Sequence, residues 1–251
     1  MIGVLAEIPD WAERFVPFSA THGVVTAAFV VATIALCTSV SKLPVSPRRT
    51  FEIFVGTWAF GLAFLYAAWW LFPKNFDINR SLPLHVCDVM SFLSPISLLS
   101  GRRRYAAFAV FFGFAFCTQA FVKPLAGPGP FHLAKWAQFW GFWTTHMIVV
   151  FTAVYWVWVR GFRPRWSDYR LVSIVAWVYV GVIFVFDAAT GLNYVYVGRG
   201  SVTGETFADV LGPWPLRVVW IALIGQAALT ALILLRFVPG GEPRPSIDSR
   251  A

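Results

Sequence analysis

The chain has 251 residues, of which 58% are hydrophobic and 13% charged, and its net charge is +8. A soluble domain carries about a quarter charged residues, so this composition excludes a water-soluble globular protein and requires a lipid solvent. The lysines and arginines lie in short segments between apolar runs, which indicates topology setting and argues against nucleic-acid binding. The long continuous apolar runs favour transmembrane helices over the alternating strands of a barrel.

Seven apolar segments reach or approach the about 20 residues that a transmembrane helix needs. In chain order they are residues 18–40, 51–72, 82–100, 105–122, 136–159, 171–190 and 214–236. We therefore predict an all-α polytopic membrane bundle of about seven helices. Its transmembrane domain covers residues 18–238, after an interfacial segment at 1–17 and before a disordered cytoplasmic tail at 239–251.

The distribution of lysine and arginine predicts the orientation of this bundle. Thirteen of the 20 lie after spans 1, 3 and 5 or at the C-terminal end, and the other seven lie on the opposite side. The positive-inside rule then puts the N-terminus outside and the C-terminus in the cytoplasm. The chain is thereby predicted to be a multi-pass membrane protein.

Ionisable residues inside the predicted spans gather toward the outer face. Buried Asp and His are costly in a membrane and normally face the bundle interior, so they are candidates for a functional site. The densest group, His85, Cys87 and Asp88, opens the third span, and His146 lies about 15 Å down the fifth. The remaining candidates are His22, Gln119, Asp187, Asn193 and Tyr194.

Cys87 is the candidate nucleophile of this group, because a thiolate attacks an acyl group when a neighbouring base takes its proton. His85 and Asp88 are three residues apart on one helical face, which lets the carboxylate hold the imidazole. His85 and Cys87 lie about 200° apart around a regular helix. The base is therefore expected from another span, and His146 is the best placed. Taken alone, Cys87 also fits a small buried hydrophobic residue.

Several segments together resemble the YwaF-type family of bacterial integral membrane proteins, in order and in spacing, over residues 17–237. They are Phe18–His22, Leu82–Asp88, Thr144–Val150, Gly191–Tyr194 and Leu211–Pro215. Gly191-Leu192-Asn193 departs slightly from the commoner Gly-Thr-Asn of that family. The resemblance implies a multi-pass protein of the bacterial cytoplasmic, or inner, membrane.

That family is similar to a eukaryotic multispan acyltransferase that acts on ether phospholipids, and the motif cysteine of that enzyme matches Cys87. It is more remotely similar to the androgen-induced hydrolases of fatty-acid esters, whose membrane histidine matches His146. The eukaryotic enzyme transfers arachidonoyl chains. This lipid specificity is not carried over to the present chain, because bacteria generally lack arachidonate.

We therefore expect an intramembrane lipid acyltransferase or acyl-ester hydrolase that needs no cofactor and has membrane lipids as partners. Cys87 carries the acyl chain as a thioester, and His146 or His85 takes the thiol proton. The carboxylate that orients the histidine is Asp88 or Asp187. Side chains expected to bind the substrate or its oxyanion are Asn193, Tyr194, Gln119, His22 and Asp187.

Two other functional classes stay open at this stage. A zinc-dependent intramembrane hydrolase would draw its ligands from His22, His85, His146 and a carboxylate, Asp88 or Asp187. An outward-facing, proton-coupled transporter would also use intramembrane Asp and His, although no inverted repeat or pair of broken helices supports it. The sequence does not indicate an oligomeric state.

Overall fold

The computed structural model describes residues 18–122, 133–199 and 207–235, and in these residues the chain forms seven α-helices. They are α1 Ala20–Ser41, α2 Val45–Leu71, α3 Val86–Ser100, α4 Arg103–Phe112, α5 Leu133–Trp158, α6 Trp166–Thr190 and α7 Leu216–Leu234. Helix α4 continues into a π-helical turn, Gly113–Cys117, and a 3₁₀ turn, Thr118–Phe121, while Tyr194–Tyr196 and Phe207–Leu211 form two further 3₁₀ turns. The predicted all-α architecture is confirmed. The interfacial segment predicted at residues 1–17 and the tail predicted at 239–251 lie outside the described residues.

Five of the described helices, α1, α2, α4 with its continuation to residue 121, α6 and α7, are long and apolar enough to cross a membrane. Their outer faces carry exposed apolar side chains, among them Val31, Phe54, Phe64, Val178 and Val185. A surface of this kind is unfavourable in water and is satisfied by lipid. The chain is therefore a polytopic membrane protein whose outer helices contact lipid.

Helices α3, α4 and α5 pack against one another at the centre of the bundle. Small residues allow the close approach, because Ala106, Ala107 and Ala109 on α4 are fully buried. A Cβ atom added to Gly113 would lie 2.9 Å from the Cβ of Ala153 on α5, so only glycine fits between these helices. The side chains of these three central helices are thus held at fixed positions.

At one end of the bundle, the carboxylate of Glu52 ties α2 to α3 and α5. The Glu52 side chain is buried and accepts hydrogen bonds from Arg160 Nη2 at 2.9 Å and from the Tyr155 hydroxyl at 2.7 Å. Arg49 donates to Glu52 at 3.2 Å and also to the carbonyl of Leu98, near the C-terminal end of α3, at 2.6 Å. The network satisfies a charge that would otherwise be costly to bury.

At the other end of the bundle, α3 begins at Val86, four residues later than predicted. Its 15 residues span about 22 Å, less than the about 30 Å hydrocarbon core, so the chain before it is non-helical. Such backbone needs hydrogen-bond partners inside the protein. The hydroxyl of Tyr194 supplies two, because it donates to the Ile78 carbonyl at 2.5 Å and accepts the Leu82 N–H at 3.2 Å.

Candidate functional site

The Cys87 thiol and the His146 imidazole come together from two of the central helices. Cys87 is the second residue of α3, and His146 lies in the middle of α5. The two side chains lie close enough to interact, and His85 and Asp88 are within electrostatic range of the thiol. Residue Cys87 is partly buried, whereas the other two cysteines are buried.

A backbone hydrogen bond determines which nitrogen of His146 faces the thiol. Nδ1 lies 2.7 Å from the carbonyl oxygen of Phe142, one turn earlier on α5. A carbonyl only accepts, so Nδ1 carries the hydrogen and Nε2 is left with its lone pair. The Phe142 ring packs against the imidazole in a tilted arrangement, with 4.2 Å between the ring centroids and 36° between the planes. The structure thus orients His146 through a carbonyl, whereas a carboxylate, Asp88 or Asp187, was expected to do so.

A second thiol, that of Cys117, lies close enough to the thiol of Cys87 to interact with it. Cys117 is fully buried and closes the π-helical turn that follows α4. Such a turn inserts a residue into the helix and is frequent at functional sites. Cys117 was missed by sequence reasoning, because its position in an apolar run gives no signal that the helix is locally widened toward α3.

Asp88 and His85 do not pair through their side chains as the helical spacing predicted. Asp88 Oδ2 accepts the backbone N–H of His85 at 3.1 Å and so caps the start of α3. The His85 ring lies against the loop that follows α6, and its Nδ1 accepts the N–H of Val195 at 3.4 Å. The ring packs against Tyr194 and Tyr196, with centroids 5.2 and 5.9 Å away.

The loop after α6 brings Tyr196 to the same cluster by way of a strained backbone. Val195 and Tyr196 have φ angles of 54° and 65°, a region that costs a non-glycine residue about 1–3 kcal/mol. The Tyr196 side chain is 38% exposed and interacts electrostatically with Cys87 and Asp88. Burial of part of the phenol raises the pKa of Tyr196, and the charges of Cys87 and Asp88 act in the same direction. The phenol therefore keeps its proton and is a hydrogen-bond donor beside the thiol.

Two of the predicted residues, His22 and Gln119, have surroundings of a different kind. His22 is buried, its Nδ1 accepts the N–H of Phe18 at 2.8 Å, and its Nε2 donates to the carbonyl of Phe121 at 2.7 Å. Both ring nitrogens therefore bond to backbone and tie α1 to the end of the α4 continuation. The Gln119 side chain is exposed on the 3₁₀ turn.

Asp187, Asn193 and Tyr194 are all buried, at the end of α6 and in the loop that follows. Asn193 Oδ1 accepts the N–H of Gly198 at 2.8 Å, so the amide closes this loop on itself. A Cβ at Gly198 would lie 1.9 Å from the Leu192 carbonyl oxygen, so the close approach requires glycine. The Asn193–Gly198 hydrogen bond and the close approach at Gly198 therefore fix the shape of the loop that carries Val195 and Tyr196.

In the part of the chain that the structure describes, no three His, Cys, Asp or Glu side chains are arranged to hold a metal ion. The five residues considered as zinc ligands, His22, His85, His146, Asp88 and Asp187, do not form such a group. In each of the three histidines, at least one ring nitrogen is already bonded to the backbone.

The family model of the TMEM164 family matches residues 17–235, which is most of the 251-residue chain. Comparisons with curated proteins and with solved structures found no match. The matched range includes the cluster around Cys87 and His146 and every described helix. The chain belongs to the TMEM164 family of multispan membrane proteins.

Proposed function

We propose that this protein is an intramembrane lipid acyltransferase or acyl-ester hydrolase in which Cys87 is the nucleophile and His146 its base. The observation that carries the proposal is the interaction between the partly buried Cys87 and His146, whose Nδ1 is bonded to the Phe142 carbonyl. A nucleophile beside a base that is itself oriented by a third group is the arrangement that covalent acyl transfer uses.

The chemistry runs in two balanced steps. The thiol proton passes to His146 Nε2 while Cys87 Sγ forms a bond to the acyl carbonyl carbon, and the ester C–O bond breaks. The leaving oxygen takes the proton back from His146, and the acyl chain remains on Cys87 as a thioester. A lipid hydroxyl or water then gives its proton to His146 while its oxygen attacks the thioester carbonyl; the C–S bond breaks, and the Cys87 sulfur takes the proton back from His146.

Two features stabilise the negative charges that these steps create. Cys87 lies in the first turn of α3, where the positive end of the helix dipole favours a thiolate. The protonated phenol of Tyr196 supplies a hydrogen bond to the oxyanion of the tetrahedral intermediate. Tyr196 replaces Tyr194 in this role, because the Tyr194 hydroxyl is already bonded to Ile78 and Leu82.

A lipid is the substrate class that fits the position of the site. The Cys87 thiol lies at the N-terminal end of α3, a helix too short to cross the membrane, inside a bundle whose outer helices contact lipid. An acyl ester of a membrane lipid lies at this depth, just below the headgroups. The resemblance to the YwaF-type family, and through it to a eukaryotic phospholipid acyltransferase, supports the same class.

The proposed orientation puts the site at the outer face of a bacterial cytoplasmic membrane. Arg49 contacts the C-terminal end of α3, and Cys87 lies at its N-terminal end. Two further arginines at the Arg49 end make ion pairs: Arg103, the first residue of α4, pairs with Asp168, and Arg160, which follows α5, pairs with Glu52. The positive-inside rule assigns that arginine-rich end to the cytoplasm.

The test is turnover of a fluorescent long-chain phospholipid by the purified protein in lipid vesicles. We expect Cys87→Ala to abolish release or transfer of the labelled chain, while Cys37→Ala, which replaces another buried thiol, keeps it. Transfer to a lipid alcohol and release as free acid distinguish a transferase from a hydrolase. Equal turnover by Cys87→Ala and the parent protein contradicts the proposal, as does uptake of a solute without any covalent change of lipid.

A further inference from the structure

Two free cysteines of different accessibility meet in the site. Helix α3 packs against the π-helical turn that ends at Cys117, Cys87 packs against the buried core that contains Cys117, and the two thiols are close enough to interact. Cys87 is half-buried, whereas Cys117 has no exposed surface. Cys87 is therefore the more exposed of the two cysteines and the first candidate to react with a reagent that enters the site.

We propose that Cys87 and Cys117 form a reversible redox site, in which Cys87 reacts with a disulfide-containing oxidant and Cys117 resolves the product as an intramolecular disulfide. An accessible thiol with a resolving cysteine next to it is the usual composition of a redox-sensitive pair. This inference goes beyond acyl transfer and does not depend on it, since it concerns only the reactivity of the two sulfur atoms.

The exchange balances with the oxidant as the only co-reactant. The Cys87 thiolate attacks one sulfur of a disulfide R–S–S–R, a Cys87–S–S–R bond forms, and one R–S⁻ leaves. Cys117 then gives its proton to a base, attacks the Cys87 sulfur and displaces the second R–S⁻. Two protein thiols are oxidised and one external disulfide is reduced to two thiols. His146, which interacts with Cys87, is placed to take the proton of that thiol, and the R–S⁻ released in the first step can take the proton of Cys117.

The backbone at both cysteines suits the small movement that a disulfide requires. To form a disulfide, the sulfur atoms of Cys87 and Cys117 have to move to a bond length of about 2.05 Å from each other. Cys87 follows non-helical chain as the second residue of α3, and Cys117 ends the π-helical turn, so neither sits in the middle of a regular helix. On the orientation proposed above, the site faces the oxidising side of the membrane, where disulfides persist.

The experiment treats the full-length protein in detergent micelles with oxidised glutathione, blocks remaining thiols with N-ethylmaleimide and maps peptides by mass spectrometry. We expect a Cys87–Cys117 linked peptide in the parent protein and in Cys37→Ser, and restored maleimide labelling of Cys87 after dithiothreitol. In Cys117→Ser, Cys87 should keep glutathione as a mixed disulfide. A stable mixed disulfide on Cys87 in the parent protein, or an unmodified Cys87, overturns the proposal.

The result for the parent protein does not depend on whether the Cys117 variant folds. The same experiment distinguishes a failure of the redox proposal from a failure of the proposed acyl-transfer function. Failure of acyl transfer in every assay leaves the linked peptide measurable, and absence of the linked peptide leaves acyl transfer measurable under dithiothreitol. If both proposals hold, oxidation stops acyl transfer and dithiothreitol restores it.

Discussion

His146 Nδ1 lies 2.7 Å from the carbonyl oxygen of Phe142, a residue on the same helix, and this bond leaves Nε2 to the Cys87 thiol. A single backbone acceptor thus sets the tautomer and the direction of the ring. In water-filled sites a carboxylate often has this task, but a carbonyl does it without burying a further charge.

Replacement of His146 tests its role as a base. His146→Gln should lower the rate of thioester formation by about 10²–10⁴-fold, the usual contribution of a positioned acid–base group. His22→Gln is the matched control, because the ring nitrogens of His22 bond to the backbone of Phe18 and Phe121. Single-turnover acylation measures both, and equal rates in His146→Gln and the parent protein would refute the assignment.

Tyr196 and Tyr194 give a second matched pair. Tyr196→Phe should lower kcat by about 10²-fold with little change in Tm, because it removes an oxyanion donor from an exposed side chain. Tyr194→Phe should instead destabilise the fold by about 1–3 kcal/mol, since the backbone of Ile78 and Leu82 loses its partner. Steady-state kinetics and thermal unfolding separate the two effects. A lower Tm with unchanged kcat in Tyr196→Phe would remove it from the site.

The ion pairs at the two ends of the molecule should differ in strength. Glu52→Gln leaves Arg160 and Arg49 without their buried counter-charge and should cost about 3–5 kcal/mol of stability. Asp77→Asn breaks a half-exposed pair with Arg80 and should cost about 0–1 kcal/mol. Unfolding of each variant in detergent micelles provides the comparison. Equal losses would mean that Glu52 is not a structural anchor of α2, α3 and α5.

The proposed orientation predicts which end of α6 a reagent reaches from outside the cell. In a protein free of native cysteines, Thr190→Cys should react with a membrane-impermeant maleimide in intact cells. Ser167→Cys, at the opposite end of the same helix, should react only after permeabilisation. Both side chains are exposed, so labelling depends on the side of the membrane. The reverse pattern would place the Cys87 site on the cytoplasmic side.

Composition and apolar run length were sufficient to predict the helices, because a lipid solvent allows few other structures. Each predicted span corresponds to one described helix, although α2 begins six residues and α6 five residues earlier than predicted, and α3 begins four residues later. That start was not predictable, since the partner of its unpaired backbone, Tyr194, lies more than 100 residues away in the sequence. The predicted cytoplasmic C-terminus remains a prediction.

The predicted site was correct in part for a similar reason. The type and depth of the residues indicated Cys87 and His146, and the structure brings their side chains into contact. Depth along a helix does not give the direction around the bundle, so His22 was grouped with residues that it does not join. Cys117 and Tyr196 depend on a π-helical turn and on a positive-φ loop, and neither feature has a signature in a single sequence.

The most direct measurement is mass spectrometry of the protein after brief incubation with a long-chain acyl phospholipid and rapid acid quenching. The account predicts one acyl chain on the peptide that contains Cys87, which neutral hydroxylamine removes because a thioester is labile to it. The same adduct should be missing in Cys87→Ala and reduced in His146→Gln. An acyl chain on another residue, or turnover with Cys87 unmodified at every time point, would contradict the account.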